Sequence, residues 1–230
     1  MTGPGPAVAP GSVKVEIWSD VVCPWCYIGK RRFESGLAAF EQRDEVEVQW
    51  RSFELDPRAP RTSDGDQVER LARKYGMTRE AALAAQARVT GLAAEEGLAY
   101  RLDLARPANT FDAHRLLHLA AERGVQGAAE ERLFAAYFTE GRALSDPETL
   151  VALAGEVGLD EAAAREVLQG DAYAEAVAGD EREAAALGIS GVPFFVIDRR
   201  YGISGAQPAD LIQRALAQAW ADAHPDVPTD

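Results

Sequence analysis

Two cysteines separated by two residues, Cys23 and Cys26, have the clearest chemical potential in this sequence. They lie in the stretch "SDVVCPWCYIGKRRFE" (19–34) and are the only cysteines in the 230 residues. A C-x-x-C pair can form a redox-active disulfide, supply half of a metal site, or be two inert thiols. A disulfide between them would close a very small loop and stabilise the fold little, so its expected role is redox chemistry rather than structural cross-linking.

The cysteines lie where a predicted strand passes into a predicted helix. The segment Val13–Ser19 alternates and is rich in β-branched residues, and apolar residues recur at helical spacing from Ile28 to Phe40. A helix begins with unpaired N–H groups and a partial positive charge, which favour a thiolate at Cys23, the expected nucleophile. Cys26, inside the first turn, is expected to be more buried and to close the disulfide as the resolving thiol.

The two residues between the cysteines are expected to support the site. Pro24 is compatible with a first helical turn and removes one N–H, so it should adjust the reduction potential. Trp25 places an apolar, partly exposed ring beside the reacting sulfur.

A zinc-stabilised binding module is the non-enzymatic alternative. His114 and His118 are spaced i, i+4 in a predicted helix and could face one metal together with the cysteines. However, the cysteine and histidine pairs are about 87 residues apart, whereas a zinc finger pattern expects about 12–15. The strand-to-helix context also favours redox chemistry, so we expect no metal in the site.

The remaining elements predict an α/β fold interrupted by helices. Residues 45–55 repeat the strand pattern and complete a parallel β-α-β unit, whereas residues 64–187 are rich in Ala, Glu, Arg and Leu and predict helices. Helix starts are expected after Thr78, after Asn109-Thr110, and at a capping box from Ser145 to Glu148. Left-handed helix C-caps are expected at Gly97, Gly124, Gly141, Gly158 and Gly188.

Strand character returns near the end of the chain, at 192–198 and in "YGISG", before a last helix with Pro208 in its first turn. The order β-α-β…β-β-α predicts a thioredoxin fold with an inserted all-helical domain. The expected parts are 13–63 and 188–223 for the thioredoxin fold and 64–187 for the insertion, whose final helix could belong to either part. Residues 1–12 and 224–230 are expected to be loose tails.

The stretch "GISGVPFFVID" contains a proline that opens a strand. A strand-opening trans proline is the ordinary case, but in a thioredoxin fold this position faces the cysteines. We therefore predict that the Val192–Pro193 bond is cis and that the backbone of Val192 pairs with an extended substrate as an added strand.

With "SDVVCPWCYIG", "ISGVPFF" and "YGISGAQP" in this order, the chain resembles the DsbA family of thioredoxin-fold oxidoreductases, and most closely its cytoplasmic FrnE-like branch. The resemblance covers about 13–223, and "NTFDAHRLLHLA" (109–120) looks like the branch's own signature. It implies that Cys23 is the attacking thiol, Cys26 the resolving thiol and Pro193 the cis-proline. It also implies that "GAQP" (205–208) lies in a loop close to them.

Departures from the family pattern bear on the activity. Some members of the branch carry an additional cysteine pair near the C-terminus, which this sequence lacks, so a relay through a second disulfide is excluded. The same neighbourhood holds glutathione-using isomerases and kappa-class transferases, which typically do not keep both cysteines. Retention of Cys26 favours dithiol chemistry. The alternative is a glutathione-dependent isomerase or transferase acting on a small aromatic or polyketide-like substrate.

Composition and charge narrow the partners. A formal net charge of −13 disfavours nucleic acid and anionic membranes, and the sequence shows neither a secretory signal pattern nor a spanning apolar run. We expect a cytoplasmic protein whose partners are protein or small-molecule thiols and disulfides. It should need no cofactor beyond the Cys23–Cys26 disulfide, with glutathione as a candidate co-substrate. A homodimer is plausible for this family.

Several polar residues are weaker candidates. Asn109 is expected to be an N-cap first and a substrate contact second, and His114 a helix residue satisfied by a neighbour, with substrate contact as its other role. Gln207 is a candidate substrate contact in the "GAQP" loop. Glu16 is either a buried acid that relays protons to Cys26 or an exposed strand carboxylate, and Asp20 could oppose the thiolate.

Overall fold

The computed structural model describes residues 12–61 and 66–225, so the predicted tails lie almost wholly outside the described residues. The strands are β1 Val13–Ser19, β2 Val46–Ser52, β3 Phe194–Ile197 and β4 Tyr201–Ser204. The helices are α1 Pro24–Ala38, α2 Gln67–Tyr75, α3 Arg79–Glu95, α4 Phe111–Glu122, α5 Gln126–Phe138, α6 Pro147–Glu156, α7 Glu161–Gln169, α8 Ala174–Ala186 and α9 Ala209–Ala223.

The four strands form one mixed sheet in the order β2-β1-β3-β4. β1 runs parallel to β2, with Val13 opposite Val46, and antiparallel to β3, with Trp18 opposite Phe194. β4 is antiparallel to β3. This is the predicted thioredoxin arrangement, and within the described residues seven helices separate β2 from β3.

The alternation of β1 sends its side chains into two different cores. Val15 and Ile17 are buried on the face that also contains Phe33 of α1 and Leu216 of α9. Trp18 is buried on the opposite face, where its indole N–H donates to a backbone oxygen of α8, that of Asp180, at 3.0 Å. The sheet is therefore covered on both sides, and the last helix of the insertion packs directly against it.

A third and larger core lies among the helices and reaches the first turn of α1. It contains Cys23, Cys26 and Tyr27 together with buried aromatic residues of α5 such as Phe134 and Phe138. The two cysteines thus lie where the sheet meets the helical part. None of the described helices is long and apolar enough to cross a membrane.

Helix ends agree with most of the predicted signals. Thr78 caps α3 by accepting a hydrogen bond from the Ala81 N–H at 3.2 Å. The glycines predicted to end helices have positive φ, namely Gly97, Gly124, Gly141, Gly158 and Gly188.

Two predicted starts are wrong by one residue. The N-cap of α6 is Asp146 rather than Ser145, because Pro147 occupies the first helical position and Asp146 accepts from the Thr149 N–H at 2.9 Å. Likewise, Pro208 is the N-cap of α9 rather than part of its first turn.

The contact between α1 and α9 predicts a stability difference between two glycine substitutions. A Cβ on Gly36 would lie 2.6 Å from the Ala209 carbonyl oxygen and 3.0 Å from Ile212 Cβ. We expect Gly36→Ala to lower the free energy of unfolding by about 1–3 kcal/mol, measured by urea denaturation.

The matched control is Gly91→Ala in α3, where no described atom lies within 4 Å of the added Cβ. Because alanine is the better helix former, this variant should be neutral or stabilised by up to about 1 kcal/mol. Equal stability of the two variants would contradict the described packing of α1 on α9.

Candidate active site

The cysteines occupy the start of α1, as the sequence predicts. Cys23 is the N-cap, with extended backbone angles of φ −88° and ψ 114°, and Pro24 follows as the first helical residue. The Cys26 N–H donates to the Cys23 carbonyl oxygen at 3.0 Å, which places Cys26 within the first turn. Cys26 is fully buried, Cys23 is 3% exposed and Trp25 is 38% exposed. Cys23 is therefore almost inaccessible to solvent, whereas the side chain of Trp25 is partly exposed at the protein surface.

The segment around Pro193 lies against this helix start. The Val192–Pro193 bond is cis, the predicted isomer, and the Cys23 thiol points at the Val192 carbonyl oxygen, with 3.6 Å between sulfur and oxygen. A Cβ on Gly29 of α1 would lie only 2.8 Å from Pro193 Cγ. Glycine at position 29 is what lets the proline approach α1 so closely.

The "GAQP" loop lies beside Pro193, as the resemblance implies. The Gly205 N–H donates to the Pro193 carbonyl oxygen at 2.8 Å, and Arg32 of α1 donates to the Ala206 carbonyl oxygen at 2.7 Å. Gln207 donates to the Ser204 carbonyl oxygen at 2.9 Å. The loop, which follows β4 in the chain, is thus hydrogen-bonded to Pro193 and to α1. A substrate contact by Gln207 stays a prediction.

A stack of aromatic rings supports the C-P-W-C turn from the helical side. The Tyr100 hydroxyl donates to the Pro24 carbonyl oxygen at 2.7 Å, and its ring stacks on Phe138 at a centroid distance of 4.7 Å. Tyr27 stacks on Phe134 at 4.8 Å. Sequence reasoning did not select Tyr100, which lies in the segment between α3 and α4 and carries no local motif that would mark it.

Cys26 lies in surroundings that disfavour its thiolate. Burial raises the pKa of the Cys26 thiol well above its ordinary value, and the neighbouring Cys23 sulfur raises it further. The Asp20 backbone N–H and the Ser19 hydroxyl lower the pKa of Cys26, but by less than burial and Cys23 raise it. In the reduced site the proton therefore stays on Cys26.

A buried carboxyl group from α5, that of Glu130, contacts the end of β1. The Ser19 hydroxyl donates to Glu130 Oε1 at 2.8 Å, and Glu130 is 1% exposed. Its other oxygen, Oε2, is buried without a hydrogen-bond partner among the described residues. Burial raises the pKa of Glu130 to about 7, although His114 and Ser19 oppose this rise. The sequence contains no signal for Glu130, because its burial arises only when α5 packs against the end of β1, where Ser19 lies.

His114 and Asp20 complete the buried polar cluster. His114 is 1% exposed, and its Nε2 lies 3.6 Å from Asp20 Oδ1, which is an electrostatic contact rather than a hydrogen bond. Asp20 Oδ2 accepts from the Leu55 N–H at 2.8 Å, and Oδ1 faces the Val22 N–H at 3.4 Å. His114 thus faces the carboxylate of Asp20, but neither ring nitrogen has a hydrogen-bond partner among the described residues, so the expectation that a neighbour satisfies it is wrong. A substrate contact by His114 stays a prediction.

Glu16 is buried rather than exposed, which excludes one of its two predicted roles. Its carboxylate is bound by Arg51 and Arg199, and burial, which raises the pKa of Glu16, is outweighed by these guanidinium groups, so the pKa is lowered. Its hydrogen bonds thus join β1 to β2 and to the turn after β3 and do not lead to Cys26.

Asn109 has both ends of its amide engaged by the chain. Its Nδ2 donates to the Ala59 carbonyl oxygen, and its Oδ1 accepts from the Phe111 N–H, both at 3.2 Å. This is the predicted capping role, although Thr110 is the formal N-cap of α4. A substrate contact by Asn109 stays a prediction.

The described side chains are not arranged as the zinc alternative requires. His118 Nε2 lies 3.2 Å from both Ser52 Oγ and Asp180 Oδ2, whereas His114 faces Asp20. Within 12–61 and 66–225, no three His, Cys, Asp or Glu side chains are arranged to hold a metal ion. Both histidines lie in α4, but each faces a different carboxylate, that of Asp20 for His114 and that of Asp180 for His118.

The buried cluster predicts how stability depends on pH. Glu130 and Glu54 both have pKa values raised to about 7, mainly by burial, from a reference of 4.5. His114 also has a raised pKa, because the Asp20 carboxylate outweighs the lowering caused by burial. Each of these groups holds its proton more tightly in the folded state than in the unfolded state. The free energy of unfolding therefore falls as the pH rises from the unfolded-state pKa to the folded-state pKa of each group.

Glu130→Gln should flatten this fall between about pH 5 and about pH 7, by up to about 1.4 kcal/mol per pH unit, because one titrating proton is removed. Urea denaturation at a series of pH values measures the slope. Glu140→Gln, which removes an exposed carboxylate just beyond the end of α5, is the control and should keep the wild-type slope. An unchanged slope in Glu130→Gln would show that Glu130 does not titrate in this range.

Comparison with known proteins agrees with this geometry. The model of the DSBA-like thioredoxin domain matches residues 14–217. The crystal structure of the probable DsbA oxidoreductase SCO1869 from Streptomyces coelicolor is 50% identical, with a TM-score of 0.88, over 95% of this chain and 93% of that chain. YwbO of Bacillus subtilis (strain 168) is 29% identical over 90% of this chain and 96% of its own length.

A more distant structure shares the fold. The cytosolic disulfide reductase DsbM from Pseudomonas aeruginosa with GSH is 19% identical, with a TM-score of 0.64, over 89% of this chain and 98% of that chain. The matched span of the family model begins in β1 and ends in α9, so it contains both cysteines, the Pro193 segment and the helices between them. The chain belongs to the DsbA-like thioredoxin-domain family.

Proposed function

We propose that the protein is a thiol–disulfide oxidoreductase in which Cys23 attacks a disulfide and Cys26 resolves the resulting mixed disulfide. The observation that carries this proposal is the placement of Cys23 at the N-cap of α1. Cys26 is fully buried in the first turn of that helix, and the Val192 carbonyl oxygen, next to Pro193, lies 3.6 Å from the Cys23 sulfur. Membership of the DsbA-like family supports an oxidoreductase or isomerase activity in general.

In the first step the Cys23 thiolate forms a bond to one sulfur of the substrate disulfide, and the other substrate sulfur leaves as a thiolate. In the second step Cys26 loses its proton and attacks the Cys23 sulfur. The Cys23–Cys26 disulfide forms, and the substrate is released with both of its sulfurs reduced. The two electrons gained by the substrate are those lost by the two cysteines, and the reverse sequence oxidises a dithiol substrate.

The segment at Val192 supports recognition of an extended chain. The Val192 carbonyl oxygen lies 3.6 Å from the Cys23 sulfur, next to the point at which β3 begins. An extended peptide bound alongside this backbone would bring its sulfur to Cys23 by adding to the chain as a strand does.

Glutathione is the proposed small-molecule partner, and the cytoplasm the proposed compartment. The structure of DsbM contains GSH, and DsbM is a cytosolic disulfide reductase. In a reducing compartment the pair would work as a reductase or an isomerase.

Substitution of each cysteine tests the mechanism. Cys23→Ser should reduce the rate of insulin disulfide reduction to the uncatalysed rate, because no nucleophile remains at the N-cap. Cys26→Ser should still react once and then accumulate a Cys23 mixed disulfide, detected by mass spectrometry. Gly91→Ala is the control and should reduce insulin at the wild-type rate, since its site lies on the exposed surface of α3.

Full insulin reductase activity in Cys23→Ser would contradict the proposal. The glutathione-dependent isomerase or transferase alternative predicts a different pattern, in which saturable glutathione binding and turnover of a small aromatic substrate both survive Cys26→Ser. Turnover by Cys26→Ser at the wild-type rate would favour that alternative.

A further inference from the structure

A thiolate at Cys23 requires hydrogen-bond donors, and the first turn of α1 offers few of them. As a thiol, Cys23 points at the Val192 carbonyl oxygen, with 3.6 Å between sulfur and oxygen. A thiolate has no proton to donate, so this carbonyl cannot stabilise it. The side chain of an N-cap residue can accept from the N–H groups of the second and third helical residues, which here are Trp25 and Cys26.

One of these two donors is already engaged. The Cys26 N–H donates to the Cys23 carbonyl oxygen at 3.0 Å. Pro24, the first helical residue, has no N–H. The Trp25 N–H lies in the first turn, where N–H groups have no acceptor within the helix, and no backbone oxygen elsewhere among the described residues accepts from it. The Trp25 N–H is therefore the donor that the turn keeps free for a Cys23 thiolate.

The hydroxyl of Tyr100 acts on the same peptide unit from its other end. It donates to the Pro24 carbonyl oxygen at 2.7 Å, and this carbonyl and the Trp25 N–H belong to one planar amide group. The peptide is trans, so its N–H points away from its carbonyl oxygen, and a donor at the oxygen helps to fix the direction of the N–H. A hydrogen bond to the carbonyl also polarises the amide, which makes its N–H a stronger donor.

The helix itself does not require this hydrogen bond. In an α-helix the Pro24 carbonyl accepts from the N–H of Ile28, four residues later. A carbonyl oxygen has two lone pairs, so the Tyr100 hydroxyl is a second donor to an oxygen that the helix already satisfies. Removal of the hydroxyl would leave no unsatisfied acceptor in the turn, and its effect should fall on the cysteine rather than on helix formation.

Tyr100 is held in place by the end of α5. Its side chain is 6% exposed, and its ring stacks on Phe138 at a centroid distance of 4.7 Å. The next backbone N–H, that of Arg101, donates to the Phe138 carbonyl oxygen at 2.6 Å. The same segment packs against Gly141, where a Cβ would lie 2.5 Å from Leu104 Cβ. The hydroxyl is thus preorganised by contacts that do not involve the cysteines.

We propose that Tyr100 is a positioning residue for the Cys23 thiolate, because its hydroxyl orients and polarises the amide whose N–H, that of Trp25, stabilises the negative sulfur. The inference rests on the proposed thiol–disulfide function. The effect is confined to the reduced pair, since the Cys23–Cys26 disulfide contains no thiolate. Stabilising the reduced form raises the reduction potential, so Tyr100 makes the pair a stronger oxidant.

The titratable and charged groups that face Tyr100 come from α1 and its N-cap, namely Cys23, Cys26, Tyr27 and Arg31. Burial raises the pKa of Tyr100 well above its ordinary value, and the Cys23 sulfur raises it further, so the hydroxyl keeps its proton and stays a donor. Burial also raises the pKa of Cys26 and of Tyr27, and Arg31 keeps its charge. Cys23 itself is faced by Cys26 and Tyr100. A pH dependence across the neutral range therefore reports Cys23.

Tyr100→Phe keeps the stacked ring and removes only the hydroxyl. Polarisation strengthens a neighbouring hydrogen bond by about 10–30%, which for a bond to a charged acceptor changes an equilibrium about twofold to threefold. The constant for reduction of the protein disulfide by glutathione should fall by this factor at mildly alkaline pH, which lowers the potential by about 9–14 mV. The mass of the alkylated protein across glutathione buffers measures it. The difference from wild type should disappear in acid, where reduced Cys23 is a thiol.

A second measurement does not require a disulfide. In a Cys26→Ser background, the rate at which iodoacetamide alkylates Cys23 follows the fraction of Cys23 that is thiolate. Adding Tyr100→Phe should lower this rate about twofold to threefold on the acid side of the pH profile and leave the alkaline plateau unchanged. A change in packing or access would instead alter the rate at every pH.

The matched control is Tyr173→Phe. It also removes a tyrosine hydroxyl that donates to the protein, but the acceptor is the carboxylate of Glu122 at the end of α4, at 2.6 Å, rather than the C-P-W-C turn. This variant should keep the wild-type potential and the wild-type alkylation profile.

Two results would overturn the role of Tyr100. The first is a wild-type potential and a wild-type alkylation profile in Tyr100→Phe. The second is a difference of the same size at every pH, which indicates a structural effect. Failure of the wild-type pair to form a reversible disulfide in glutathione buffers would instead refute the proposed function. The alkylation profile would still decide whether Tyr100 stabilises the Cys23 thiolate.

Discussion

The packing of α1 between two separate cores, with Cys26 and Tyr27 in one and Phe33 in the other, is the constraint on which the rest of the structure depends. Cys26 is fully buried although it lies only three residues from the extended N-cap, because the helical core encloses the turn. The Pro193 segment lies on the same helix, and Gly29 is the position that permits this contact. A shift of α1 relative to either core would alter the surroundings of both sulfurs at once.

The helical part contributes to the site as well as enclosing it. Tyr100 and Glu130 both come from the helical part: Tyr100 donates to the Pro24 carbonyl oxygen in the first turn of α1, and Glu130 accepts from the Ser19 hydroxyl at the end of β1. The two cysteines come from the start of α1, and the Pro193 segment lies directly before β3. The surroundings of the site are therefore assembled from both parts of the chain, by contacts between residues far apart in the sequence.

The electrostatics differ on the two faces of β1. On the face that packs on α8, the carboxylate of Glu16 is neutralised by Arg51 and Arg199 and its pKa is lowered. Just beyond the end of β1 the groups Glu130, His114 and Asp20 are buried, with orphaned atoms on Glu130 and His114, and burial raises the pKa of Glu130. The first arrangement joins strands, whereas the second leaves groups able to exchange protons near neutral pH.

The sequence alone determined the order of the elements, the place of the cysteines at the start of α1, and the position of Pro193 before β3. These features depend on local patterns, namely strand alternation, helical periodicity and turn residues, which are encoded over a few neighbouring residues. The same local rules missed the shift of one residue at Asp146, where Pro147 took the first helical position. Only the tertiary structure decided that His114 and His118 would face different carboxylates, that Tyr100 would support Pro24, and that Glu130 would be buried against Ser19. Those contacts join residues far apart in the chain, and their energies come from burial and packing that no local pattern reports.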